Sequence, residues 1–143
     1  MTAAAKFGYE PSDHEMERAS NGYLMSLIAL MAAAPLPIIN LLATSVFYLA
    51  NRKGTYFVRW HCIQALVTQF FLFLMNSTGL YWTLSIVFGS NTLSDKYIAY
   101  IITIFLFNLV EFIAFIYTAQ RTRNGGHVEW WFYGSLANVL CKP

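Results

Sequence analysis

The chain has 143 residues, 57% of them apolar and 11% charged, with a net charge of +2 and a mean hydropathy of +0.48. That balance excludes a nucleic-acid binder, which would need a concentrated basic surface, and is more apolar than soluble domains of this size show. Two cysteines, Cys62 and Cys141, make neither a disulfide framework nor a metal-ligand spacing, which leaves a single bridge between them as an open alternative.

Residues 1–21 form a polar N-terminal segment in which Lys6 and Arg18 face Glu10, Asp13, Glu15 and Glu17. It is too acidic for a secretory n-region or an organellar transit peptide. Its composition reads as a solvated tail. Ser12 and Glu15, however, have capping-box spacing and predict a short helix over residues 13–20, which a partner would hold in place.

Residues 22–143 read as one helical membrane domain. Three apolar stretches, residues 23–50, 62–88 and 97–119, contain no Lys, Arg or Asp, and each exceeds the roughly 20 residues that cross about 30 Å of hydrocarbon. Pro35 and Pro37 interrupt the first, because each removes a backbone donor and obstructs the preceding turn. One kinked crossing is the expectation, since irregular backbone at membrane depth needs protein or water to cover it. A re-entrant hairpin is the alternative. The kinked crossing places the N-terminus across the membrane from the C-terminus, whereas the hairpin places both on one side.

Arg52, Lys53 and Arg59 lie between the first two stretches, and Arg121, Arg123 and Lys142 follow the third. Only Lys96 lies in the remaining connection. The positive-inside rule then sets residues 51–60 and the C-terminus on the cytoplasmic or equivalent side of a bacterial or organellar inner membrane. Asn124-Gly125-Gly126 predicts a turn. Residues 127–141, with Trp130, Trp131, Phe132 and Tyr133, are too few to cross and predict an interfacial or re-entrant helix. The fold class is therefore an all-α integral membrane protein with three transmembrane helices and a short aromatic end.

Few polar side chains interrupt the apolar stretches. Cys62, Gln69, Asn76 and Thr83 recur every seven residues on one helix face, Asn40 and Thr44 are spaced i,i+4, and Asn108 and Glu111 i,i+3. Counted from the basic side at 1.5 Å per residue, Thr44, Gln69 and Glu111 lie roughly 10 to 14 Å deep. This predicts a buried cluster of Asn40, Thr44, Gln69, Asn108 and Glu111, with Asn76 farther along the same face. Interhelical bonding is the first role for such groups, at about 1 kcal/mol each. Glu111 has no cation at its depth within the chain, so it is expected to be protonated or paired with a partner; as a membrane carboxylate its other role is a proton or ion relay. No nucleophile triad, HExxH, CxxC or phosphate loop appears, so no enzymatic activity is expected. His61 and His127 with Cys62 are a weak metal set; no cofactor is expected apart from lipid.

The most specific local pattern is Phe57-Val58-Arg59-Trp60-His61-Cys62-Ile63-Gln64-Ala65-Leu66. It resembles the signature of the twenty-kilodalton Tic component of the chloroplast inner-envelope import translocon and its small bacterial relatives of unknown function. In that family an aromatic-Val-Arg-aromatic-His run precedes Gln-Ala-Leu at the start of a membrane helix. Arg59, His61, Gln64, Ala65 and Leu66 stand in the matching positions. The likeness covers residues 51–75; Cys62 departs from the usual small residue, and the family commonly reads as four membrane segments. It implies a compact helical membrane subunit and, in the plastid branch, a role in protein translocation. Independently of it, Arg59 can snorkel to phosphates, Trp60 can anchor at the interface, and His61 and Gln64 can bond to a neighbouring helix end.

The expected function is thus a non-catalytic subunit of a larger membrane complex, with protein transport as the sharper form. Three helices cannot enclose a polypeptide-wide pore, so transport needs a homo- or hetero-oligomer. Its partners are membrane lipids and other integral membrane subunits, and no nucleic acid. Alternatives are a small proton- or ion-conducting protein centred on Glu111, and an accessory subunit of a respiratory or photosynthetic complex. Phe70, Phe71, Phe73, Phe105, Phe107, Phe112 and Phe115 would serve lipid, pigment or partner contact equally.

Overall fold

A computed structural model describes residues 2–32, 36–89 and 91–143. Its elements are six helices: α1 (Ala3–Phe7), α2 (Asp13–Ala32), α3 (Pro37–Asn51), α4 (Tyr56–Val87), α5 (Asp95–Arg123) and α6 (Tyr133–Leu140). The described residues form no strand.

The N-terminal segment is not a solvated tail. Ser12 and Glu15 close the capping box, with the Ser12 backbone N–H donating to Glu15 Oε2 at 2.8 Å and the Glu15 N–H to Ser12 Oγ at 3.4 Å. The helix they start does not stop near Ser20 but continues to Ala32. Ahead of it, α1 lies against α4. Ala3 is 1% exposed, and the Phe7 ring meets Tyr56 and Phe57 edge-on at 5.2 and 5.1 Å. The Ala3 N–H donates to the Gly125 carbonyl at 3.2 Å, within a bridge pairing Thr2 with Gly126. The chain's own C-terminal segment does the holding that was expected of a partner.

The first apolar stretch is a hairpin, not one kinked crossing. Pro37 takes the first turn of α3, where its missing N–H costs nothing. Ala33, Ala34 and Pro35 lie outside the described residues. α2 and α3 then run antiparallel. The Ser26 and Thr44 hydroxyls are 2.9 Å apart, and Gly22 lies so close to the Phe47 ring that an added Cβ would approach it to 3.2 Å. Ala19, Gly22, Ser26 and Ala29 give α2 a small-residue face that permits this approach.

This hairpin also corrects the orientation. Tyr23 of α2 contacts His61 of α4 and Phe115 of α5, and Glu17 lies 3.8 Å from Arg123. The N-terminal end of α2 therefore shares one end of the bundle with the start of α4 and the finish of α5. Both termini pack at the basic end, and α2 to α5 alternate in direction.

α4 and α5 are long and apolar enough to cross a membrane, with mean hydropathies of 1.4 and 2.2 over their most apolar stretches; α3 is a shorter apolar helix. Two candidate spans thus replace the three expected. Asn76 and Asn108 exchange amide hydrogen bonds of 3.1 and 2.8 Å between α4 and α5, and Gly79 admits the Ile104 side chain of α5. From the level of Cys62, α4 continues about 37 Å, whereas α2 and α3 each reach only about 15 Å beyond it. Between the hairpin tip and the two long helices lies a cleft of about 610 Å³, lined by Leu30, Pro37, Leu80, Ile101, Ile104 and Phe105 among others.

The expected helix over residues 127–141 is present only as α6; residues 127–130 belong to no helix or strand. Cys62 and Cys141 are free and buried, so the bridge left open by the sequence does not form.

Candidate functional site

At the basic end, α4 turns Phe57, His61, Gln64 and Thr68 inward, spaced i, i+4, i+7 and i+11 along one face. His61 and Gln64 are both 0% exposed. α2 brings the equally buried Tyr23 to them, and the irregular segment after Gly126 brings His127 and the main chain of Val128 and Trp130.

Gln64 sets the direction of the bonds through Tyr23 and His61. Its Oε1 accepts from the Trp130 N–H at 3.2 Å, so its Nε2 is fixed as donor, to the Val128 carbonyl at 3.1 Å and to the Tyr23 hydroxyl oxygen at 2.9 Å. The Tyr23 O–H then donates to His61 Nδ1 at 2.9 Å. His61 accordingly carries its proton on Nε2, which faces His127 Nδ1 at 3.4 Å. His127 Nε2 lies 3.5 Å from Glu129 Oε2, a contact that becomes an ion pair only when the ring is protonated, and this nitrogen makes no hydrogen bond with the described residues. These tautomers follow from the bonding pattern. Glu129 also pairs with Lys6 at 2.9 Å and accepts from Asn138 Nδ2 at 2.6 Å, and the Asn138 Oδ1 accepts from Trp60 Nε1 at 2.8 Å. Arg59 Nη2 donates to the Lys142 carbonyl at 3.2 Å.

Electrostatics reinforce this order. Burial pushes the His127 imidazole below its ordinary range, against the opposing pull of Glu129, and so keeps it neutral. For Glu129 burial acts upward, but the bonds from Lys6 and Asn138 outweigh it and hold the carboxylate below its usual range. A line of neutral imidazoles thus ends on a fixed negative charge near the surface. Such a line can take up or hand on protons. It contains no activated nucleophile, and among the described residues no group of three or more His, Cys, Asp or Glu could hold a metal ion.

Ala65 packs with Tyr23, Phe115 and Ala119, and Leu66 lines a shallow outer cavity with Leu41 and Phe70. Arg59, His61, Gln64 and Ala65 therefore serve the basic end, while Leu66 faces outward.

The polar cluster predicted within the spans divides into separate groups. Thr44 donates to the Asn40 carbonyl at 3.0 Å beside the Ser26 hydroxyl. Gly22 touches both Phe47 and Cys62, and Asn40 and Gln69 lie seven residues along from these on antiparallel helices, hence at one level. Asn40 Oδ1 and both amide atoms of Gln69 are buried and make no hydrogen bond with the described residues. Asn76 and Asn108 pair with each other. Glu111 joins none of these: half-buried, it neighbours Tyr133, whose hydroxyl burial and the Glu111 carboxylate push up to about 12. Equal depth did not bring Glu111 to Gln69, because depth along a helix says nothing of direction around it.

Sequence reasoning missed Tyr23, Lys6, Glu129 and Asn138. Tyr23 stands at the start of the first apolar stretch, where an aromatic reads as an interfacial anchor. Lys6 and Glu129 are separated by 123 positions, and no local pattern links them.

No family model, curated protein or solved structure matches this chain.

Proposed function

We propose that the protein is a non-catalytic integral membrane subunit of a larger membrane complex, with a role in protein translocation as its sharper form. One observation carries the reading. Most of the polar side chains at the basic end bond within the chain, while the long helices α4 and α5 leave apolar side chains such as Phe105, Leu106, Val110 and Ile113 outward. A surface of that kind is suited to lipid and to other membrane helices, not to substrate chemistry. The likeness of Arg59, His61, Gln64, Ala65 and Leu66 to the Tic-type signature supports the translocation form. In this reading the host is a bacterial or organellar inner membrane, with the basic end on the cytoplasmic or equivalent side. An accessory role in a respiratory or photosynthetic complex belongs to the same class. Gentle detergent extraction followed by sizing and mass spectrometry is the test. Co-migration with integral membrane proteins is the expected result; release by alkaline carbonate without detergent would defeat the membrane reading itself.

Glu111 sustains a second reading, a small proton- or ion-conducting protein, because its carboxyl group is half-buried against Tyr133. Glu111→Gln separates the two. Unchanged assembly and function support the subunit, whereas loss of proton flux from reconstituted vesicles with assembly intact supports conduction.

A further inference from the structure

The bonds at the basic end join three segments that are distant in sequence. His61 belongs to α4, His127 to the segment after α5, and the Phe7 ring of α1 lies against His127 at 5.1 Å and against Trp60 at 6.1 Å. Lys6 of α1 reaches Glu129, and α6 closes over Trp60 through Asn138. We propose that the Tyr23–His61–His127–Glu129 chain is a proton-operated latch, and that the protein has a pH-sensing function: two neutral histidines hold α1 and residues 127–141 on α4, and their protonation releases both.

The forced direction of the chain is the reason. A proton added to His61 goes to Nδ1, which then points an N–H at the Tyr23 oxygen. That oxygen already receives the Gln64 N–H, and the displaced Tyr23 hydrogen loses its acceptor. A proton added to His127 goes to Nδ1 and meets the His61 Nε2–H across 3.4 Å, so that two donors face each other. Either protonation breaks the line, and both together place two cations with ring centres 5.3 Å apart.

The surrounding groups offset that charge only at the Glu129 end, where His127 Nε2 lies 3.5 Å from the carboxylate. α1 contributes the cation Lys6, α2 the hydroxyl of Tyr23, and α4 the thiol of Cys62 beside His61. The segment after α5 contributes Glu129, whose carboxylate lies 3.5 Å from His127 and already serves Lys6 and Asn138. The side chains of Lys6 and Glu129 are 24% and 30% exposed, so protons reach the chain from its Glu129 end. Each event binds one proton from the aqueous phase and releases nothing else.

The full-length protein in lipid nanodiscs is titrated from about pH 8 to about pH 5. Hydrogen exchange is followed by mass spectrometry and corrected for the intrinsic pH dependence of exchange. Exchange in residues 2–8 and 127–141 should rise at least about tenfold, with a midpoint below the ordinary histidine value of 6.5, while the central turns of α4 and α5 stay protected. The His61→Gln, His127→Gln double variant should lose the pH response. A corrected exchange that does not change with pH, or a double variant that keeps the response, overturns the latch. Should the double variant misfold, nitrogen-15 spectra of the wild-type imidazoles decide: neutral rings protonated on Nε2 at neutral pH support it, and a charged or Nδ1-protonated ring at that pH overturns it.

Discussion

Gln64 shows how much one side chain can govern here. Its amide satisfies the Val128 carbonyl, the Trp130 N–H and the Tyr23 hydroxyl together. Gln64→Leu leaves the Val128 carbonyl and the Trp130 N–H without this partner and takes from the Tyr23 hydroxyl one of its two bonds, and should destabilise the fold by about 3 kcal/mol, measured by denaturant or thermal unfolding in detergent. The Asn76–Asn108 pair behaves differently. Each single change to Leu should cost about 1 kcal/mol, and the double change less than the sum, because the second removes a group already deprived of its partner. A double-mutant cycle reads that coupling. A site in which motif residues bond to the main chain was legible in part: Gln64 and His61 stood out, but what they bond to did not. Glu111 drew attention by its charge, yet its neighbour is Tyr133 and not the amides at its own depth.

Among the elements, α2 depends on its cap. Ser12→Ala removes the Glu15 N–H acceptor and should cost about 1 kcal/mol. The reciprocal bond has a pH signature. Burial acts upward on the Glu15 carboxyl, but bonds from Thr55 and Ser12 hold it below its ordinary value of 4.5. Its contribution is therefore complete above pH 4.5 and is lost as the pH falls through the lower folded value. Far-ultraviolet circular dichroism of α2 unfolding against pH checks the sign, with Glu15→Gln as the variant that lacks the dependence. The cap at Ser12 was readable from the Ser12–Glu15 spacing because capping is local. Where α2 would end was not, since residues 13–20 and the following apolar stretch fuse into one helix only when Ala19, Gly22 and Ser26 have a surface to pack on.

At the scale of the molecule, the hairpin decides sidedness. Reporter tags at residue 2 and residue 143 should be accessible from the same face of a sealed vesicle, with a cysteine placed at residue 92 accessible from the other. Tags on opposite faces would return the single kinked crossing. The short hairpin also explains why the far halves of α4 and α5 rely on Asn76–Asn108 and on the close approach at Gly79: beyond Leu30 and Pro37 nothing from α2 or α3 covers them. Gly79→Leu should separate the two helices and destabilise the protein by about 1 to 3 kcal/mol, as overpacking does.

Hydropathy and local spacing by themselves determined the helical class, the two long apolar helices, the cap at Ser12 and an interruption of the first apolar stretch near its prolines. These depend on composition and on bonds that close within a few residues. Whether the two prolines kink one helix or reverse it was left to packing, because a missing N–H breaks a helix without saying where the next one goes. The Ser26–Thr44 contact and the small face of α2 chose reversal. The same contacts brought Lys6, Tyr23, His61 and His127 to one end of the bundle. Their meeting depends on the relative rotation of helices far apart in the chain, and only tertiary packing sets that rotation.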